Sequence, residues 1–152
     1  MDIPHLSIPK IEANDMCFGC GTGNQHGLKL KFRQDAEAAT CEFVPTKHHQ
    51  GWPGYVHGGI LIAVLDEAIG WAAHFKNIYA VTAKMQVRLK SMARIGEPLM
   101  VSARITSQTR RTLEVEAALK RQDNSVVAEA SSVQFITHIE DSESNEAGHG
   151  NH

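Results

Sequence analysis

One segment decides most of what this chain can become. From Gly58 to Phe75 it reads GGILIAVLDEAIGWAAHF, with Ile60, Leu61, Val64, Leu65, Ala68, Trp71, Ala72 and Phe75 at helical spacing. Ile62, Ala63, Ile69 and Ala73 spread the apolar surface around most of the cylinder. A helix that is apolar nearly all round has to be buried, so the rest of the chain must supply a wrapping. The longest strongly apolar run, Ile60–Leu65, is six residues. A membrane span needs about 20, so no span is expected and the wrapping must be protein.

The flanking sequence supplies strands. Leu28, Leu30 and Phe32 alternate with Lys29, Lys31 and Arg33, and Ala39, Cys41 and Phe43 follow after a turn around Asp35. Pro45, Gly51, Pro53 and Gly54 mark a loop ahead of the helix. After Asn77 the period becomes two. Tyr79, Val81, Ala83, Met85, Val87 and Leu89 alternate with Thr82, Lys84, Gln86, Arg88 and Lys90, and the polar set is expected to face away from the helix. Leu99–Ile105, Leu113–Leu119 and Val126–Ile139 complete the strands, the last with its alternation blurred midway, as a bulge would do. The order β-β-α-β-β-β-β predicts an α+β domain with an antiparallel sheet of about six strands wrapped around one helix. The 152 residues suit a single domain. Residues 1–26 read as a loop-rich lead-in, 27–139 as the folded domain, and 140–152 as a disordered acidic tail.

Charge narrows the partners. The formal net charge is -2, but four of the 17 acidic residues lie in the tail, leaving 13 against 15 basic residues in the body. Such a body lacks the dense basic patch of a nucleic-acid binder, yet suits an anionic small molecule. Neither a basic start nor an apolar run follows Met1, so no secretory signal is expected. With three cysteines, an odd number, this points to a reducing cytoplasm. Cys17-Phe18-Gly19-Cys20 has CxxC spacing. A plain turn of small residues is the simplest reading, with a metal or redox site as the alternatives. His26 and Cys41 would complete a metal site only if the fold gathers them.

Two carboxylates, Asp66 and Glu67, interrupt the apolar helix. A carboxylate buried there needs a partner or a task. Upstream lies His57-Gly58-Gly59. Two glycines at a helix start leave bare N–H groups at the positive end of the dipole, a natural site for a polarised carbonyl. His57 and Asp66 are nine residues apart, so about 10 Å or more separates the helix start from the acid. One carbonyl cannot readily be gripped by both within one chain, whereas two subunits would solve the problem.

The segment HQGWPGYVHGGILIAVLDEAIGWAA resembles the signature of hotdog-fold acyl-CoA thioesterases of the 4-hydroxybenzoyl-CoA and phenylacetate-pathway superfamily, and CFGCGTGNQHGLKLKF resembles a lead-in found in one branch. The resemblance covers about residues 14–139. It implies a hotdog fold and thioester hydrolysis needing neither metal nor cofactor. It implies that the Gly58 amide, with His57 and Gly59 beside it, polarises the carbonyl. Asp66 would be base or nucleophile, and Thr82 would hold the water or the acid. The family usually supplies an Asn or Gln ahead of the HGG. Gln50 is the nearest candidate, at a spacing of seven from His57, with His49 second; several relatives use six, where this chain has Gly51. Lys84, Arg88, Lys90 and Arg94 are candidates for the CoA phosphates, and Glu67 for a supporting role. Relatives often have Pro where this chain has Ser91. The resemblance also implies a homodimer or dimer of dimers, with the site between subunits. A non-catalytic acyl-CoA-binding domain is the alternative, and a dehydratase of the same fold ranks below it.

Overall fold

The computed structural model describes residues 16–141. Residues 1–15 and most of the expected tail lie outside the described residues. Six strands form one antiparallel sheet: β1 (Arg33–Asp35), β2 (Ala38–Phe43), β3 (Ile78–Leu89), β4 (Leu99–Gln108), β5 (Thr112–Arg121) and β6 (Val126–Ile139). Their order across the sheet is β1-β2-β4-β5-β6-β3. The helix α1 (Gly58–His74) connects β2 to β3 and so carries the chain from one side of the sheet to its far edge. This is the hotdog arrangement that the resemblance implied.

The wrapping works because the apolar alternates of the strands converge on the helix. Leu61, Val64, Leu65, Ala68, Ile69, Ala72 and Ala73 of α1 are buried. They meet Ala39, Cys41 and Phe43 of β2, Leu99, Val101 and Ala103 of β4, and Leu113, Val115, Ala117 and Leu119 of β5. Each of those strand positions is an inward position expected from the period of two. The helix is not covered all round. Gly59, Asp66 and Gly70 are exposed, with Ile62 and Ala63 half-buried, so one stripe faces outward. Among the described residues, no helix is long and apolar enough to cross a membrane.

Three expectations need correction. The first strand shrinks to Arg33–Asp35. Leu28 and Leu30 are buried, but their N–H groups bond to the carbonyls of Phe18 and Gly19 rather than to a ladder. Lys29 has φ 52, the left-handed region, which breaks a pleat. The second correction concerns β3. Ala83 is an extra residue between the Thr82–Gln134 and Lys84–Val133 pairs. This bulge shifts the phase by one, so Ile78, Ala80 and Thr82 face inward before it, and Met85 and Val87 after it. Thr82 therefore points at the helix rather than away. The third is the blurred middle of β6. No bulge lies there: Ala128, Ala130, Ser132, Gln134 and Ile136 keep the inward phase, and two of those positions are polar.

Leu65 is fully buried at the centre of this packing. Leu65→Ala should cost about 2–5 kcal/mol through lost transfer energy and a residual cavity, measured as a lower urea midpoint at unchanged slope.

Candidate functional site

The helix start is built by a loop that turns back on itself. A 3-10 turn, Lys47–His49, is capped by Thr46, whose hydroxyl accepts from the His48 N–H. The Thr46 N–H in turn donates to His49 Nδ1 at 2.9 Å. The His49 carbonyl accepts the His57 N–H at 2.8 Å, so the loop hands its geometry to the helix cap. The His49 ring packs on Phe43, and burial pulls its pKa down. His49 is thus a scaffold for His57. Gln50 Oε1 accepts the Gly54 N–H at 3.0 Å and closes its own turn. At Gly51 a Cβ would lie 3.0 Å from the His57 Cα. A side chain at Gly51 would therefore require the His57 backbone to give way.

His57 is the N-cap of α1, and its Nδ1 accepts the Gly59 N–H at 2.9 Å. That bond leaves Nε2 to carry the proton of the neutral ring. It also sorts the helix-start amides. Gly59 N–H goes to the His57 ring, while Ile60 and Leu61 N–H go to the His57 carbonyl. Among the described residues no acceptor takes the Gly58 N–H. Of the two glycines named from the sequence, Gly58 therefore holds the available donor, at the positive end of the dipole.

Asp66 lies two turns on, with its carboxylate on the outward stripe. Thr82 Oγ1 donates to Asp66 Oδ1 at 3.0 Å. A carboxylate only accepts, so the single hydroxyl proton of Thr82 is spent there. Gln134 Nε2 donates to Thr82 Oγ1 from the other side at 2.9 Å and to Ser132 Oγ at 3.3 Å. Ser132 Oγ donates to the Val115 carbonyl at 3.4 Å. This chain of donors runs from the β5–β6 core to the acid. Gln134, 2% exposed, was missed in the sequence, where its only trace is the polar interruption of β6. Neither acid is buried among apolar groups as expected: Asp66 is exposed and Glu67 half-buried. Glu67 turns toward the lead-in, where the Cys17 thiol lies 3.7 Å from its Oε1.

The basic candidates are dispersed. Lys84 and Arg88 line hollows of about 290 and 920 Å³ on the outer face of the sheet, away from the helix. Lys90 pairs with Glu129 at 3.2 Å. Arg94 lies 5.9 Å over the Tyr55 ring, and its backbone bridges Tyr55, which places it beside the loop that leads into Gly58. Ser91 Oγ accepts from Arg121 at 3.0 Å, and Arg121 also binds Glu97 and the Met92 carbonyl. An arginine clamp thus holds this turn. Trp71 and Phe75 pack together near Phe32, whereas Trp52 is 77% exposed.

Comparison with known proteins bears on the family and the fold. Residues 53–128 match the family model described as "Thioesterase superfamily". A mouse relative, acyl-coenzyme A thioesterase THEM5 of Mus musculus, is 23% identical over 75% of this chain and 46% of its own length. The chain thus spans less than half of that relative. Among solved structures, smu.793 of Streptococcus mutans UA159, bound to acetyl CoA, aligns with TM-score 0.69 at 18% identity, covering 74% of this chain and 91% of that one. The E. coli PaaI protein of the phenylacetic acid degradation operon gives TM-score 0.69 at 18% identity, covering 74% and 82%.

The donor chain makes a measurable claim. Thr82→Val leaves the buried Gln134 amide short of an acceptor and should cost about 1–3 kcal/mol in urea unfolding. In a Gln134→Met background the same change should cost clearly less. Full additivity of the two would show that they do not interact.

Proposed function

Because this chain belongs to the thioesterase superfamily, we propose that it hydrolyses acyl-CoA thioesters to a carboxylic acid and CoA. The observation that carries this reading is the division of labour along α1: an unpaired amide at Gly58 and a hydroxyl-anchored carboxylate at Asp66. Hydrolysis moves charge onto the thioester oxygen as a nucleophile adds to the carbonyl carbon. The Gly58 N–H and the helix dipole stabilise that charge. Asp66 takes the proton of the attacking water, or attacks the carbon itself to give a mixed anhydride that water hydrolyses once the sulfur has left. The C–S bond then breaks and the CoA sulfur leaves to be protonated. Thr82 and Gln134 hold the Asp66 carboxylate without consuming its second oxygen. His57 caps the helix so that Gly58 alone offers its amide. Arg94, beside the same loop, is the best-placed cation for a CoA phosphate.

Gly58 and Asp66 are eight residues apart on one helix, about 12 Å, so they serve one carbonyl only across two chains. The topology favours that assembly. β3 is a 12-residue edge strand with β6 on one side only, and such an edge readily adds a further strand. Gly58 lies against the Leu89 side chain, at one end of β3, while Asp66 bonds Thr82 toward the other. Antiparallel pairing of two β3 strands about a twofold axis brings the Gly58 end of one chain toward the Asp66 of the other. It also covers the outward stripe of α1 and desolvates the acid.

Asp66→Asn should lower thiol release from CoA esters by about two or more orders of magnitude, the scale of general-base loss, with the oligomer intact. Wild-type turnover in that variant would overturn the role of Asp66, whereas CoA-ester binding with no thiol release by the wild type would identify a binding domain.

The shared site has its own test. Gly58→Pro deletes the donor at a helical first position that accepts proline, and should cost about 10²–10³ in kcat. Mixing Gly58→Pro with Asp66→Asn and reassociating should restore about a quarter of wild-type activity, because half the dimers are mixed and each contains one intact site. No recovery on verified mixing would place both groups of one site in the same chain.

A further inference from the structure

The CxxC segment and Glu67 stand outside the chemistry above, and they converge. The Cys17 thiol lies 3.7 and 3.9 Å from the two Glu67 oxygens. One donor atom each from Cys17, Cys20 and Glu67 falls within 4.8 Å of the others. A tetrahedral zinc ion with ordinary bond lengths holds thiolate and carboxylate donors about 3.4–3.8 Å apart, so these atoms need little movement to close on one ion. Neither His26 nor Cys41 joins the cluster; the Cys41 thiol donates to the Glu42 carbonyl.

The surrounding backbone fits a built site. Cys17 and Cys20 flank a tight turn closed by the bond from Gly21 N–H to the Cys17 carbonyl at 2.9 Å. The turn is tied down by Leu28 and Leu30, whose N–H groups reach the carbonyls of Phe18 and Gly19. Gly19 is buried directly over Glu67, and a Cβ there would collide with the carboxylate. The loop is therefore shaped around the carboxylate of a residue some 50 positions away in sequence. Yet among the described residues no lysine, arginine or histidine ion-pairs with Glu67. A half-buried carboxylate facing two soft sulfur donors lacks a cation.

We propose that Cys17, Cys20 and Glu67 form a binding site for a divalent, thiophilic metal ion of the zinc class, with water in the fourth position. Binding converts two thiols to thiolates and releases two protons, leaving a metal–bis-thiolate–carboxylate centre with one net negative charge. The ion staples the lead-in to α1 at the residue next to Asp66.

The test uses the full chain, reduced, stripped with chelator and titrated with Zn²⁺ and with Co²⁺. Equimolar zinc binding, proton release, a thiolate-to-cobalt charge-transfer band and a raised melting temperature are expected. Cys41→Ser should retain all four. Glu67→Gln should weaken zinc binding about tenfold or more, and the Cys17→Ser/Cys20→Ser pair should abolish the cobalt band. Absence of the band from the wild type at excess cobalt, with both thiols shown to be free, would overturn the proposal. So would a Cys17–Cys20 disulfide recovered as the resting state, or unchanged zinc affinity in Glu67→Gln.

Discussion

The constraint on which this structure depends is the burial of a helix with too much apolar surface for one contact face. A single sheet can cover such a helix only by curling around it, and the twist of antiparallel strands supplies that curl. The curl does not close. One stripe of α1, through Gly59, Asp66 and Gly70, stays uncovered beside the free edge of β3. Asp66 lies at that opening, because a carboxylate on the sheet-facing side of the cylinder would meet only Leu, Val and Ala.

Consecutive positions on a helix point about 100° apart, and here that turn separates two environments. Asp66 joins β3 and the deep polar thread of Gln134 and Ser132. Glu67 turns to the lead-in and its sulfur atoms. At the helix start a similar sorting occurs: His57 consumes one glycine amide and leaves the next to it open. In both places a short sequence motif presents two similar groups, and a single hydrogen bond decides which does what.

Much of the fold was legible because it rests on period alone. The helix bounds, the inward faces of β2, β4 and β5, and the antiparallel architecture follow from where Leu, Val and Ala recur. The phase of β3 was not legible. An apolar Ala83 and a polar Thr82 both fit either face, and only pairing with β6 shows that Ala83 is the extra residue. Gln134 was hidden for a related reason: a buried glutamine contradicts the hydrophobic pattern until its partners are in place. The lead-in strand failed because Lys29 leaves the pleat while the side chains around it still alternate. Gly58 and the contact between Asp66 and Thr82 were reachable through spacing and resemblance. The separation of Lys84 and Arg88 from Arg94 needed three dimensions.

The pairing of β3 with β6 has a consequence for the order in which the molecule can be made. Thr82 and Gln134 are 52 residues apart in sequence, and β6 is the last strand among the described residues. A ribosome releases α1 and β3 long before it releases the strand that secures them. During that interval β2, β4 and β5 are made and can cover α1, but β3 has no neighbour in the sheet until β6 appears. The Gln134 bond that steadies Thr82 is therefore a late native contact, and a chain truncated before Gln134 would keep Asp66 and Thr82 but lose the support behind them.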